Sequence, residues 1–214
     1  MVSSYDFGLR LSDAPQIDED DFIGRDRELE QLRTWLTPRP KRQNVVALCG
    51  LGGMGKTQLS IQFARKFVDT YSSIFWLNGK DENTLKAGLA ALAAQVVENY
   101  TPPSVNDVQG QEQEQERMAQ QARQWLSRPD NDRWLVVYDN YDDPRLPGMD
   151  SSTGYDIRHF FPHRAHGSIL ITTRSPRLTY AKQLRLNKID NIDQSLSILA
   201  TRSGREINGG EEIY

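Results

Sequence analysis

The octapeptide GLGGMGKT occupies residues 50–57, between the apolar run Val45–Leu48 and a stretch with helical periodicity over roughly Lys56–Thr70. It matches the pattern G-x-x-x-x-G-K-[ST] at every fixed position. Glycines let the backbone turn successive N–H groups toward a phosphate, and the positive end of the following helix faces the same anion. The sequence therefore predicts a buried strand, a phosphate-binding loop (P-loop) and a helix, in that order.

Apolar runs alternate with amphipathic stretches along the rest of the chain. This alternation indicates right-handed βαβ units and a parallel sheet covered on both faces. We expect an α/β protein with a three-layer α/β/α P-loop NTPase fold and a parallel sheet of about five strands. Besides Val45–Leu48, the expected strands are Ser73–Leu77, Trp134–Tyr138, Ile169–Thr172 and, from a weaker pattern, Gln183–Leu186. The other expected helices are Asp26–Leu36, one carrying Leu85 to Val96, one from Gln109 to Leu126, and a last one from Ser195 to Ala200.

The composition favours a soluble globular protein, with 37% hydrophobic and 26% charged residues. A net charge of -3 gives no general attraction to nucleic acid, and we interpret the basic cluster Arg39–Arg42 as a solvated loop. Cys49 is the single cysteine, so no internal disulfide forms and a reducing compartment is expected. The N-terminus resembles no secretory signal, and Leu89–Val97 is far shorter than the roughly 20 residues of a membrane span. We expect a cytoplasmic or nuclear protein.

A second motif supplies a carboxylate at the same edge of the sheet. Trp134–Asp139 is an apolar strand that ends in an acid, and ligands of open α/β sheets bind at the carboxyl ends of strands. Asp139 is therefore a candidate magnesium ligand, together with the hydroxyl of Thr57, while Lys56 reaches the β- and γ-phosphates. The alternative is an aspartate that only caps the strand.

The residue after this carboxylate bears on hydrolysis. Many hydrolytic P-loop proteins place an acid there to polarise the attacking water, but this chain has Asn140. An amide orients water without accepting its proton. Asp142 and Asp143 could substitute, although Pro144 indicates a turn that leads away. We expect tight nucleotide binding with slow turnover.

The strand segment Gly167–Arg174 ends in two threonines and an arginine. A cation at this edge would lie within reach of a γ-phosphate, so Arg174 is a candidate sensor of that phosphate. A purely structural arginine is the alternative. The three histidines, His159, His163 and His166, lie close in sequence, but Pro162 interrupts their register and no cysteine is near. We interpret them as ordinary loop residues rather than metal ligands.

With these motifs in order, the chain resembles the NB-ARC nucleotide-binding domain of NLR-type immune and cell-death receptors, within the STAND class of P-loop ATPases. The segments that carry the resemblance are Phe22-Ile23-Gly24-Arg25-Asp26, Gly50–Thr57, Val136–Asn140 and Gly167–Arg174, with Phe75-Trp76-Leu77 matching a further strand. It implies a nucleotide-binding domain over residues 22–204, whereas the polar, acidic residues 1–21 are interpreted as an N-terminal lead-in and residues 205–214 as a tail.

The resemblance also implies a set of binding residues. It puts Phe22, Ile23 and Arg25 around adenine and ribose. It gives Mg2+ to Asp139, beside Thr57, and the γ-phosphate or its sensing to Arg174. With Asn140, which follows the carboxylate, Asp139 and Arg174 are the candidate catalytic residues. The implied cofactor is ATP or ADP with Mg2+, and its phosphates would lie against Gly52, Gly53, Met54, Gly55, Lys56, Thr57 and Gln58.

Two departures from the family pattern limit what the resemblance implies. Asn140 replaces the acid that the family usually has, and neither the Gly-Leu-Pro-Leu helical segment nor the histidine-bearing winged helix appears before Tyr214. We therefore expect an excised domain that is a monomer, from a parent receptor that self-associates. The leading function is a nucleotide switch, closed with ADP and oligomerising with ATP. The alternatives are an active AAA-like or replication-initiator ATPase, a small-molecule kinase, and a scaffold with a structural nucleotide; no nucleic acid or membrane is expected as a partner.

Overall fold

The computed structural model describes residues 8–10, 14, 24–96, 108–145, 154–188 and 196. Most of the lead-in, the tail over 205–214 and nearly all of the helix expected from Ser195 to Ala200 lie outside the described residues.

Six parallel strands form one sheet in the order β1-β3-β4-β5-β2-β6. The strands are β1 (Gly8–Arg10), β2 (Asn44–Cys49), β3 (Ser73–Asn78), β4 (Trp134–Asp139), β5 (Ser168–Thr173) and β6 (Lys182–Arg185). The α-helices are α1 (Asp26–Leu36), α2 (Lys56–Lys66), α3 (Glu82–Val96) and α4 (Val108–Leu126), and short 3-10 helices cover Val68–Thr70 and Ile157–Phe160.

Helices cover both faces of the sheet because the central strands are apolar on both sides. Alternate residues of β4 divide between two cores: Leu135 and Val137 pack with α1 and α2, whereas Val136 and Tyr138 pack with α3 and α4. A strand with this two-sided burial reads as a continuous apolar run. The three-layer α/β/α P-loop fold expected from the sequence is confirmed.

The structure corrects two details of the expected fold. The sheet has a sixth strand, β1, inside the segment interpreted as a polar lead-in, since three residues are too few to show a period in the sequence. The helix after the P-loop ends at Lys66 rather than near Thr70. Phe67 leaves helical geometry with φ -114° and ψ 25°, and a single 3-10 turn follows. Tyr71 is then buried and donates its hydroxyl to the carbonyl of Leu36.

Among the described residues, no helix combines the length and the apolar character needed to cross a membrane.

Candidate nucleotide-binding site

The P-loop joins the end of β2 to the start of α2. Gly53 and Gly55 have φ values of +78° and +80°, in the left-handed region that glycine enters without steric cost. The amide of Gly50 donates to the carbonyl of Thr173 at 3.2 Å and ties the loop to the end of β5. Gln58 reaches back from α2, with its Oε1 3.4 Å from the position of a Cβ on Gly55. This places the loop amides and the N-terminus of α2 at the carboxyl edge of the sheet, where an anion binds favourably.

Lys56 lies inside the curve of the loop. Its Nζ donates to the carbonyls of Gly50 at 2.8 Å and Leu51 at 3.0 Å. Burial lowers the pKa of Lys56, and the Arg174 guanidinium lowers it further, while Asp142 and Asp139 act in the opposite direction. The ammonium therefore lies within the predicted phosphate-binding loop, near the carboxylates of Asp139 and Asp142 and the guanidinium of Arg174.

Asp139 is the centre of a hydroxyl network that joins three elements. Thr57, 82 residues earlier in the chain, donates from Oγ1 to Asp139 Oδ1 at 3.0 Å. Thr172 of β5 donates to the same oxygen at 2.5 Å and accepts from the amide of Asn140 at 2.9 Å. Asp139 is only 2% exposed, and burial raises the pKa of its carboxyl, whereas the two hydroxyl bonds lower it. Thr57 and Asp139 thus lie together, with oxygens of the kind that Mg2+ prefers.

Thr172 was not singled out as a site residue from the sequence. Its role depends on strand order, because β5 lies between β4 and the P-loop strand β2. The only signal in the sequence is that β5 ends in two threonines, Thr172 and Thr173.

Asn140 adopts a left-handed backbone conformation with φ +65°, which asparagine tolerates better than most residues. Its side-chain amide donates to Asp139 Oδ2 at 3.3 Å. A carboxylate at this position would instead place a second negative charge beside a buried one. The amide therefore stabilises the ionised form of Asp139 and supplies no proton acceptor of its own.

Arg174 lies over the P-loop and is paired with Asp142. Its guanidinium carbon is 3.8 Å from the position that a Cβ on Gly52 would take. Nε contacts Asp142 Oδ2 at 2.8 Å, and the backbone amide of Arg174 donates to Asp142 Oδ1 at 2.8 Å. The arginine side chain is 66% exposed, so this ion pair is weak and exchangeable. The sequence suggested Asp142 only as a substitute base, and its pairing with Arg174 could not be read from the sequence.

Arg25 lies at the start of α1 and contacts the segment that follows β6. Its guanidinium pairs with Glu28 at 2.9 Å and donates to the carbonyl of Asn187 at 2.8 Å. Leu186 in turn donates its amide to Cys49 at the end of β2, at 2.7 Å. The segment after β6 is therefore a neighbour of the site that the sequence did not indicate.

The remaining predicted binding residues divide into two groups. Met54 packs back on the loop, with its Sδ 3.4 Å from the Cβ position of Gly50. Phe22 and Ile23, assigned to adenine by resemblance, lie outside the described residues.

The histidines do not form a metal site. Among the described residues, no group of three or more His, Cys, Asp or Glu side chains could hold a metal ion. His159 and His163 are exposed, but His166 is buried against Trp134, and its Nε2 lies 3.0 Å from the carbonyl of Leu126. His166 lies in a loop, as expected, and its burial adds a structural contact that the sequence did not indicate.

A sequence model of the NB-ARC domain matches residues 25–199. The chain belongs to the NB-ARC domain family. The family resemblance is confirmed, and with it a nucleotide-binding domain of the kind found in NLR-type proteins.

Two curated proteins are similar to this NB-ARC chain. It is 28% identical over 188 residues to a nucleotide-binding leucine-rich repeat (NLR)-like protein of Hyaloscypha variabilis, covering 83% of this chain. It is 25% identical over 182 residues to a protein of Arabidopsis thaliana described as a disease resistance protein, covering 78% of this chain. The match spans only 18% and 19% of the lengths of these two relatives.

Among solved structures, the crystal structure of Cdc6p from Pyrobaculum aerophilum is similar in fold. It aligns with a TM-score of 0.53 at 14% sequence identity, over 88% of this chain and 54% of the other. At this identity the likeness supports the P-loop fold alone.

Proposed function

We propose that this domain binds ATP or ADP with Mg2+ and acts as the nucleotide switch of a cytoplasmic NLR-type receptor, with slow or no hydrolysis. The observation that carries the proposal is the 3.0 Å contact between Thr57 and Asp139, which brings the last residue of the P-loop to a buried carboxylate at the end of β4. A hydroxyl and a carboxylate at this distance, at the end of a glycine-rich loop of the phosphate-binding type, fit a magnesium nucleotide.

Each residue has a separate role in the proposal. Thr57 and Asp139 would hold the ion, and the ammonium of Lys56 would leave the carbonyls of Gly50 and Leu51 for the phosphates. When bound, Mg2+ neutralises negative charge on the phosphates. Arg174 would exchange its pair with Asp142 for a γ-phosphate, and so distinguish ATP from ADP.

Slow turnover follows from how the nearby groups are bonded. The Asn140 amide is a donor to Asp139 and accepts no proton. Both oxygens of Asp142 are engaged by Arg174, one by its Nε and one by its backbone amide. Asn140 therefore cannot act as a general base for water, and the backbone amide of Arg174 still holds one oxygen of Asp142 when the guanidinium turns to a γ-phosphate.

The signalling role rests on the relatives and on thermodynamics. The names of the two curated relatives describe an NLR-like protein and a disease resistance protein, which supports a role in innate immunity. A switch requires that ATP and ADP bind its two conformations with different affinities. We expect this domain alone to be a monomer, with self-association as a property of the longer receptor.

The first test is calorimetric titration of ATP, ADP and GTP with Mg2+, followed by phosphate release from the same samples. We expect micromolar binding of adenine nucleotides, its loss in Lys56→Ala, and turnover below about one per minute. Lys80→Ala is a matched control, because Lys80 is exposed and follows β3. Turnover near the roughly 10 per second typical of enzymes would contradict the switch and favour an active AAA-like ATPase.

A second test concerns the pair formed by Arg174 and Asp142. In Asp142→Asn the amide oxygen can still accept from the backbone of Arg174, but the guanidinium loses its counter-charge. We expect the ratio of ATP to ADP affinity to rise about threefold to fivefold, because releasing an exposed ion pair costs about 1 kcal/mol or less. Arg174→Ala should abolish the preference. An unchanged ratio in both variants would show that Arg174 does not sense the γ-phosphate.

A further inference from the structure

A groove of about 390 Å³ lies at the end of the sheet opposite the P-loop. The start of β2, from Asn44 to Val46, forms part of it, together with Trp35 of α1 and Lys182 of β6. The P-loop follows the other end of β2, and a strand of six residues spans roughly 20 Å. The groove is therefore separate from the nucleotide-binding site.

The groove exists because the edge strand begins late. The register of β6 starts with Lys182 opposite Val46, so Asn44 and Val45 have strand partners only on the β5 side. This leaves part of the edge of β2 without a neighbouring strand. The ammonium of Lys182 lies 4.2 Å from the centroid of the Trp35 ring, which fixes the side wall of the groove by a cation–π contact.

The groove carries a concentration of positive charge. Arg39, Arg42 and Lys182 line it, no acidic residue does so, and none of the three cations forms an ion pair with any residue in the described part of the chain. The two arginines belong to a tight turn, in which the amide of Arg42 donates to the carbonyl of Arg39 at 3.3 Å and Lys41 has φ +56°. The basic cluster is exposed, in agreement with its interpretation as a solvated loop, and it forms an ordered turn. Like charges in one groove repel, and a bound anion relieves that repulsion.

We propose that this groove binds a compact polyanion carrying two or more phosphate groups, independently of the P-loop. Two guanidinium groups and one ammonium supply the charge and donors that clustered phosphates require, and arginine matches a phosphate with two parallel hydrogen bonds. The volume lies within the range of small-molecule sites. A nucleic acid fits less well, because Lys182 occupies the face of Trp35 on which a base would stack.

The test is calorimetric titration of tripolyphosphate into Lys56→Ala, without magnesium, so that binding at the P-loop is suppressed. We expect one binding event, weakened about tenfold when Arg42→Ala or Lys182→Ala is added, since one charge-assisted contact is worth about 1.5 kcal/mol or more. Arg27→Ala is the matched control, because Arg27 is exposed on α1 and does not line the groove. The Trp35 indole resonance in a nitrogen-15 spectrum should shift on titration.

Loss of tripolyphosphate binding in Lys56→Ala would overturn the proposal, as would unchanged affinity in both groove variants. Binding of a single-stranded oligonucleotide, abolished by Arg42→Ala and without binding of tripolyphosphate, would replace it with a nucleic-acid site. Phosphatidylcholine vesicles with and without phosphatidylinositol bisphosphate separate two sources of the same chemistry. Specific vesicle binding alongside tripolyphosphate binding supports a lipid headgroup, and its absence supports a free phosphate compound.

Discussion

Burying the ionised carboxylate of Asp139 costs free energy in the folded protein. The carboxyl is 2% exposed, and burial raises its pKa, so the ionised form is less stable there than in water. Hydroxyl bonds from Thr57 and Thr172 and the amide of Asn140 recover part of that cost. A buried carboxylate beside a P-loop therefore favours binding of a cation, although it lowers the stability of the folded chain without one.

This trade-off predicts the behaviour of Asp139→Asn. The amide oxygen can still accept from both hydroxyls, and the buried charge disappears, although the side-chain amide of Asn140 loses its acceptor at Oδ2. Measured without nucleotide or Mg2+ at neutral pH, the variant should be more stable by about 1 kcal/mol, which raises Tm by about 2–4 °C for a domain of this size. The same variant should lose the magnesium dependence of nucleotide binding in calorimetry.

Thr172→Val is the complementary variant, because it removes the hydroxyl that donates to Asp139 and leaves the carboxylate charge in place. That variant should unfold at a lower temperature than the original protein. If Asp139→Asn were instead destabilising without ligand, the carboxylate would be a structural residue and its assignment to magnesium would be wrong.

At the scale of elements, the turn that enters β5 depends on the absence of a side chain. Gly167 has φ +72°, and a Cβ on it would collide with the indole ring of Trp134 at the start of β4. The amide of Asn44 donates to the carbonyl of Gly167 at 3.0 Å, so the same turn also holds the start of β2. A change here disturbs three adjacent strands that carry the site.

We therefore expect Gly167→Ala to destabilise the domain by about 3 kcal/mol, from left-handed strain of roughly 1–2 kcal/mol and overpacking against Trp134. Gly53→Ala is a matched control, since Gly53 also has positive φ but nothing lies within 4 Å of its Cβ position. It should cost only about 1 kcal/mol. Thermal or urea unfolding of the two variants measures the difference, and equal destabilisation would show that the Trp134 contact is unimportant.

At the scale of the whole molecule, the three-residue strand β1 covers one edge of the sheet. It pairs in parallel with Ser73–Phe75 of β3, and β3 is an apolar strand whose exposed edge would be free to pair with another copy. The candidate nucleotide-binding residues Lys56, Thr57, Asp139 and Arg174 lie at the start of α2 and at the ends of β4 and β5, away from this edge. The N-terminal segment therefore contributes to solution behaviour more than to ligand binding.

Deletion of residues 1–10 should leave nucleotide affinity within about twofold but promote self-association as the concentration rises. A deletion of residues 1–7, which retains β1, is the control and should remain monomeric. Sedimentation velocity at several concentrations distinguishes the two. If the longer deletion also remains monomeric, the edge of β3 is protected by some other part of the chain.

Local patterns were enough to predict most of the fold. The stripe Leu29, Leu32 and Leu36 predicted α1 with its observed bounds, and apolar runs located β2 to β6 within about two residues. The P-loop could be predicted from the sequence because its glycines, lysine and threonine lie within eight consecutive residues. Their phosphate-binding chemistry therefore depends only on local backbone geometry. Asp139 could likewise be predicted as the last residue of an apolar strand, because the strand and the acid are consecutive in the chain.

Contacts between distant segments were decided only by the folded chain. Strand order placed Thr172 on Asp139, and the pairing of Arg174 with Asp142 joined the ends of β5 and β4. The late start of β6 opened the basic groove, and pairing with β3 ordered three lead-in residues as β1. Periodicity in a sequence reports which face of an element is buried, whereas these features depend on which elements become neighbours and in what register, and that is set by packing the whole chain.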